Sequence, residues 1–274
     1  MSLNIEELTK KAVEVRKGII EAVYSGQSGH PGGSLSVADI LTVLYFHELK
    51  VDEKNPKWEE RDRMVFSKGH CSPALYSCLA HRGFFPIEDL KTFRKIDSYL
   101  QGHPDMKKIP GVDMTTGSLW QGLSAAVGMA IAGKMDKKHY RVYCILGDGE
   151  IEEGQIWESA MSAKKYKLDN LCVIVDNNNL QIDGTIEEVM SPYPIDDKFR
   201  SFGFEIIKID GHNIQEIIDA FDVAKNIKDK PVCIIAKTIK GKGISYMENQ
   251  VGWHGKAPNE EQYKMAMEEL VKKE

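Results

Sequence analysis

Asp148 is the residue of this chain most clearly placed to do chemistry. It stands between two glycines in "LGDGEIEEG" (146–154), just past an apolar run, and three asparagines, Asn177, Asn178 and Asn179, close the next apolar run. Glycines on both sides let the backbone turn sharply and come close to a ligand. A helix expected to start near Glu152 would aim its free N–H groups at an anion. A lone carboxylate would repel that anion, and a hard cation between them removes the conflict. Asp148, an asparagine side-chain oxygen, a backbone carbonyl and phosphate oxygens make the all-oxygen octahedral set that suits magnesium. Taken separately, GDG is an ordinary strand-to-turn junction and the asparagines a polar turn. Their common place after apolar runs favours the chemical reading.

Such groups need elements to hold them. Apolar periodicity predicts helices over roughly 4–24, 35–49, 71–82, 117–133, 153–166, 213–226 and 259–273. Strand-like runs are "RMVFS" (63–67), "RVYCIL" (141–146), "LCVIVD" (171–176), "FEIIKI" (204–209) and "PVCIIAKT" (231–238). They are β-branched, bounded by Gly, Asp or Pro, and apolar on both pleat faces. That pattern predicts an α/β fold with a mostly parallel central sheet flanked by helices on both faces. In such sheets ligands sit beyond the carboxyl ends of the strands, where Asp148, Asn177 and Asn178 fall. The segments 84–116 and 239–258 hold many Gly, Pro and His and little periodicity, and loops that long are usually functional. No repeat or linker divides the chain, so residues 1–274 are expected to form a single domain.

Composition narrows the function classes. Asp and Glu number 41 against 36 Lys and Arg in 274 residues, a net charge of −5. That balance offers no electrostatic case for nucleic acid or an anionic membrane as partner. No stretch approaches the ~20 apolar residues of a membrane span. The first helix carries Glu6, Glu7 and Glu14, which suits neither a secretion signal nor a transit peptide. Cys71, Cys78, Cys144, Cys172 and Cys233 form no CxxC pair, and their odd number suits reduced thiols. Three of them lie in strand-like runs, where packing is the expected role. A cytoplasmic protein is expected.

The eight histidines divide into two groups. His47 and His81 lie in helical runs, His139 in a charged turn, and His212 before a helix whose start it would shape; all four are expected to be structural. His30 in SGHPGG, His70 in KGH, His103 in GHP and His254 in WHG lie instead in Gly-rich, non-periodic segments. Four imidazoles could bind a metal, but no pair has the spacing usual for one. A dinucleotide site fails as well, because neither "GKGIS" nor "GDGEIEEG" gives G-x-G-x-x-G between a strand and a helix.

GDG followed by NN resembles the thiamine diphosphate signature. Four further segments carry that resemblance over nearly the whole chain: "SGQSGHPGGSLS" (25–36), "RDRMVFSKGH" (61–70), "QGHPDMKKIPGVDMTTGSLWQG" (101–122) and "KTIKGKGISYMENQVGWHGKAP" (237–258). Together they are similar to the transketolases, specifically the N-terminal, diphosphate-binding domain. The resemblance implies thiamine diphosphate as cofactor with magnesium, or calcium or manganese in its place. Asp148, Asn178 and the carbonyl of Leu180 would be the metal ligands, Asn178 being picked over its neighbours by counting back from "IDG". His70, His254, Asn178 and Gly149 would hold the cofactor, with Gly117 and Leu119 bordering its rings. His30, His103 and His254 would face substrate, since imidazoles donate to sugar oxygens and exchange protons near neutral pH. Glu153 matches a glutamate in a hydrogen-bond network between paired active sites, counted with both the catalytic and the cofactor groups; alone it reads as first-turn helix charge. Trp120 departs from the pattern by standing where the family usually has Gly, and its ring would narrow the substrate channel or disturb the cofactor cradle.

The resemblance also implies a missing half. In full-length transketolases a pyrimidine-binding domain follows this one and supplies the glutamate that activates thiamine. The sequence closes at "EELVKKE", so a separate C-terminal subunit is the expected partner, in a heterotetramer, with self-association through this domain as a further option. Sugar phosphates are the expected substrates. The alternatives are half of another thiamine enzyme, such as a deoxyxylulose-phosphate synthase or a 2-oxoacid dehydrogenase, and a non-catalytic paralogue. The histidine quartet argues against the former, the retained ligands against the latter.

Overall fold

A computed structural model describes residues 3–273. Five strands, β1 (Arg63–Phe66), β2 (Val142–Gly147), β3 (Leu171–Asn177), β4 (Glu205–Asp210) and β5 (Val232–Lys237), form one sheet in the order β1-β2-β3-β5-β4, every pair parallel. The helices in chain order are α1 (Ile5–Gly26), α2 (Pro31–Ser36), α3 (Ala38–Val43), α4 (Ser72–Arg82), α5 (Gln121–Met135), α6 (Gly154–Lys165), α7 (Ile186–Val189), α8 (Ile195–Ser201), α9 (Ile214–Asn226) and α10 (Glu260–Val271). Alternate strand residues face opposite layers. Tyr143 and Ile145 of β2 join one core with α1, α3, α4 and α9, while Val142, Cys144 and Leu146 join another with α5, α6 and α8. The α/β architecture expected from the apolar runs is thus the observed one.

The register decides where chemistry can happen. Phe66 lies beside Ile145, Gly147 beside Asp176, and Asp176 beside Ala236. The carboxyl ends of β1, β2, β3 and β5 therefore stop nearly level, and the chain leaving each meets the others along one edge. The chain leaving β1 turns to α4 on the first face and the chain leaving β2 to α6 on the second, which opens the crevice that parallel sheets use for ligands.

Three expectations need correction. β4 is not covered on both faces; it is one of the two edge strands, partly exposed along its length, and its charged Glu205, Lys208 and Asp210 discourage pairing with another chain. The single helix expected over 35–49 is three pieces, because Pro31 starts α2 early, Val37 leaves helical geometry at ψ 0°, and α3 runs on into a π-turn at Leu44–Glu48. The helix expected from 117 starts only at Gln121, since Gly117 (φ 144°) and Trp120 (φ 73°) have left-handed or related backbones.

His212 is structural, but in a different way from that expected. Asn213 caps α9, while His212 Nε2 accepts from the Ile239 backbone N–H at 2.8 Å and Nδ1 donates to Asp39 Oδ2 at 2.8 Å. Arg16 completes the cluster with two bonds to the same carboxylate, at 2.8 and 2.6 Å. Burial raises the Asp39 carboxyl, but Arg16 and His212 outweigh it and hold the group well below the usual range. All five cysteines are buried and unpaired. No helix among the described residues is long and apolar enough to cross a membrane.

Candidate active site

The residues leaving the level strand ends line one cavity of about 270 Å³. Asp148, Asn178 and Leu180 line it from β2 and β3, and His30, His70 and His254 line it from three separate loops. Gly117, Leu119 and Gly149 form part of its wall. Asp148 is buried, and its carboxylate accepts from the backbone N–H of Gly149 at 2.9 Å and of Asn179 at 2.6 Å. Burial and the neighbouring Asp176 push its carboxyl up to about 7, against the pull of the two backbone donors and Lys68. A carboxylate strained in that way gains from a cation at close range.

Asn178 offers Oδ1, which accepts from Leu180 N–H at 3.2 Å. The Leu180 carbonyl accepts from Lys240 Nζ at 2.9 Å and keeps a second lone pair. The donor set is all oxygen, which fits a hard divalent cation and not a soft one. Asn177 belongs elsewhere: Tyr193 donates to its Oδ1 at 2.9 Å in a neighbouring groove. The glycines of GDG do less than expected of them. Gly149 has an ordinary helical φ of −67°, so the turn does not need it. Both glycines line the cavity, and their value lies in keeping side chains out of a ligand's space. Gly117 is the constrained one, for at φ 144° a Cβ there would come within 2.8 Å of the His103 ring.

Three imidazoles meet above this oxygen cluster. His30 lies edge-on to His70 and His254 at 5.1 and 5.4 Å between centroids, and His70 stacks on His254 at 5.5 Å. His103 was expected to join them, but its ring lies against Gly117 and is not part of the cavity lining. Despite this crowding, no group of three His, Cys, Asp or Glu able to hold a metal occurs among the described residues. Burial is the main force on the ring protons: with nearby cations it lowers His30 to about 4 and His254 to about 3, and it carries His70 well below its usual value. All three are neutral at pH 7, able to donate from one nitrogen and accept on the other.

That neutrality has a measurable cost in acid. An unfolded histidine takes up its proton near 6.5, but His30 and His254 resist until about 4 and 3. The unfolded chain thus binds more protons below about pH 6.5, and stability falls through that window. The cofactor-free chain is expected to melt lower at pH 5 than at pH 7, with His30→Gln narrowing the gap. An unchanged gap in the variant would place the acid sensitivity elsewhere.

Several residues of the site were not singled out by motif. Lys68 and Lys240 line the cavity, and Lys240 Nζ lies 2.8 Å from His254 Nδ1; their only signal was a lysine inside SKGH and KGKG. Glu150 is buried and ties the GDG turn together, accepting from Gly147 N–H at 3.0 Å, from Trp120 N–H at 2.8 Å and from Ser67. Arg94, at φ 59°, donates to Ser28 at 3.0 Å, while its buried Nε has no partner among the described residues.

Two further expected residues lie apart. Glu153 is the exposed N-cap residue of α6 and does not line the cavity. Trp120 does not line it either. Its ring packs against the second core, so within this chain it neither narrows a channel nor enters the cradle. Its φ of 73° explains why glycine suits the position.

A level parallel edge with an oxygen cluster at a glycine-lined cavity defines a cofactor-binding α/β protein. The family described as "Transketolase, thiamine diphosphate binding domain" matches residues 8–272, and the chain belongs to that family. The 6-deoxy-6-sulfo-D-fructose transketolase subunit SqwG of Clostridium sp. (strain MSTE9) is 48% identical over 97% of each chain. An apulose-4-phosphate transketolase subunit of Phocaeicola vulgatus is 44% identical over 98% of this chain and 95% of its own. Transketolase of Homo sapiens is 44% identical, but its match takes in 92% of this chain and 40% of its own length. The transketolase structure from Campylobacter jejuni superposes with a TM-score of 0.92 at 40% identity, over 98% of this chain and 43% of that one.

Proposed function

We propose that the chain is the N-terminal subunit of a two-chain transketolase, moving a two-carbon ketol unit from a ketose phosphate to an aldose or its phosphate. The observation that carries this is the match to relatives named as subunits, 48% and 44% identical over 97% and 95% of their own chains, whereas the match to human transketolase takes in 40% of that protein. Thiamine diphosphate, when bound, supplies the nucleophilic carbon and electron sink that cleavage between C2 and C3 of a ketose needs. This chain's residues hold it. Asp148, Asn178 and the Leu180 carbonyl take the divalent metal, magnesium or a substitute, and His70 and His254 donate to the diphosphate oxygens. Gly117 and Leu119 leave room for the rings. His30, His103 and His254 donate to sugar oxygens and pass the hydroxyl proton that must leave and return. The activating glutamate and most anion contacts for the sugar terminus come from a C-terminal, pyrimidine-binding subunit in a heterotetramer, and the setting is the cytoplasm.

The test is to combine this chain with a candidate second subunit, thiamine diphosphate and magnesium and to follow ketol transfer. No transfer with any second subunit that binds the chain would overturn the reading. Within the active pair, His103→Ala is expected to lower turnover through substrate handling, whereas His70→Ala is expected mainly to raise the cofactor concentration needed. Each loss should be about 10²-fold or more at limiting ligand. Wild-type kinetics in both variants, at limiting cofactor and substrate, would make the imidazoles structural.

A further inference from the structure

An asparagine that binds a cation must present its oxygen, yet the two ends of the amide are almost the same size. Shape cannot choose between them, and the surrounding hydrogen bonds must. Around Asn178 both ends are specified. Leu180 N–H donates to Oδ1 at 3.2 Å, while Nδ2 meets Asp176 Oδ2 at 3.4 Å and Ser36 Oγ at 3.5 Å. An ionised carboxylate only accepts, so a flipped amide would set oxygen against oxygen at Asp176 and N–H against N–H at Leu180.

Asp176 is itself held from three directions. It is fully buried near the end of β3 and accepts from Lys68, which follows β1, from Thr238, which follows β5, and from Ser36 of α2 at 2.6 Å. Lys68 also donates to the Gly33 carbonyl at 3.0 Å, and Ser36 Oγ, its proton given to Asp176, lies 3.1 Å from the same carbonyl. The carboxylate thus cannot rotate without breaking bonds to three elements. We propose that Asp176 is a positioning residue for the cation site, holding Asn178 Nδ2 so that the amide oxygen faces the cavity it shares with Asp148. This rests on the reading that Asp148, Asn178 and the Leu180 carbonyl bind a divalent cation.

A double-substitution cycle separates positioning from general damage. Asn178→Asp puts two equivalent oxygens at the cation, so orientation no longer matters there. Mn²⁺ is titrated into the chain with saturating thiamine diphosphate, and free Mn²⁺ is read by electron paramagnetic resonance. In the Asn178 chain, Asp176→Ala is expected to weaken Mn²⁺ binding about 10- to 100-fold. In the Asn178→Asp chain the same substitution is expected to cause no loss. Equal losses in both backgrounds, or a loss in neither, overturn the proposal. Equal Mn²⁺ binding by the unaltered chain and Asp148→Ala would instead overturn the cation reading beneath it. If Asp176→Ala does not fold, Ser36→Ala removes one bond to Nδ2 and leaves the Lys68–Asp176 pair intact. It is expected to give a smaller loss that again vanishes with Asn178→Asp, and persistence of that loss overturns the proposal equally.

Discussion

Asp148→Ala is expected to leave a folded chain whose assembled enzyme no longer binds thiamine diphosphate in a magnesium-dependent way. The side chain is buried with its carboxyl pushed up to about 7, so the folded protein bears a cost for keeping it charged at neutral pH. Removing it frees the N–H groups of Gly149 and Asn179, but Gly149 lines the cavity and Asn179 is exposed in the neighbouring groove, so water can reach both. The melting temperature should therefore hold within a few degrees, as about 1 kcal/mol either way would give. Cofactor affinity should not hold. On the proposed reading, Asn178 and the Leu180 carbonyl would be the protein oxygens left for the cation, and the hold on the diphosphate would weaken. Calorimetric titration with and without magnesium reads the result directly. An unchanged, magnesium-dependent affinity in the variant would remove Asp148 from the metal site.

The largest effect expected is dependence on a second chain. The cavity has walls of glycine, imidazole and carboxylate on the sheet side, and Ile182, an apolar residue of its lining, is 65% exposed. On the proposed reading, a reactive ring seated there would face water beside Ile182 and would take its activating glutamate from the second subunit. Loss of acid–base assistance alone removes about a hundred- to ten-thousand-fold in rate, and loss of a dry site removes more. The purified chain should be folded, bind cofactor weakly and show no ketol transfer above background until the second subunit is added. Robust transfer by this chain alone, at a purity checked by mass spectrometry, would show that its active site is complete.

The strands were legible because they are short apolar runs, mostly β-branched, three of them ending in Gly147, Asn177 or Asp210, and such runs have few other folds open to them. GDG and NNN were legible for a related reason, since polar groups at the ends of buried strands must find a purpose. The gathering of His30, His70 and His254 was hidden in their sequence separation, which periodicity does not bridge. Asp176 looked like a strand boundary. Its partner Lys68 lies 108 positions earlier, and only the level register of β1 and β3 across β2 brings the two together. The break at Val37 and the late start of α5 were invisible because helical spacing continues straight through both. At Trp120 the family pattern marked a departure, but not that the ring would leave by the second core.

The five cysteines have a practical consequence. Each is fully buried, in the strands or in and beside α4, and burial pushes every one of the thiols upward from the ordinary value. Only the thiolate attacks alkylating and disulfide reagents, so the native chain is silent to them until it opens. The rate at which the native thiols become labelled is then a clock for opening of the core, with Cys144, Cys172 and Cys233 timing the sheet and Cys71 and Cys78 timing α4 and its approach. A single cysteine placed at the exposed Met161 would be labelled at once against that quiet background, giving a fluorescent or spin probe a defined position on α6 without first removing any native residue.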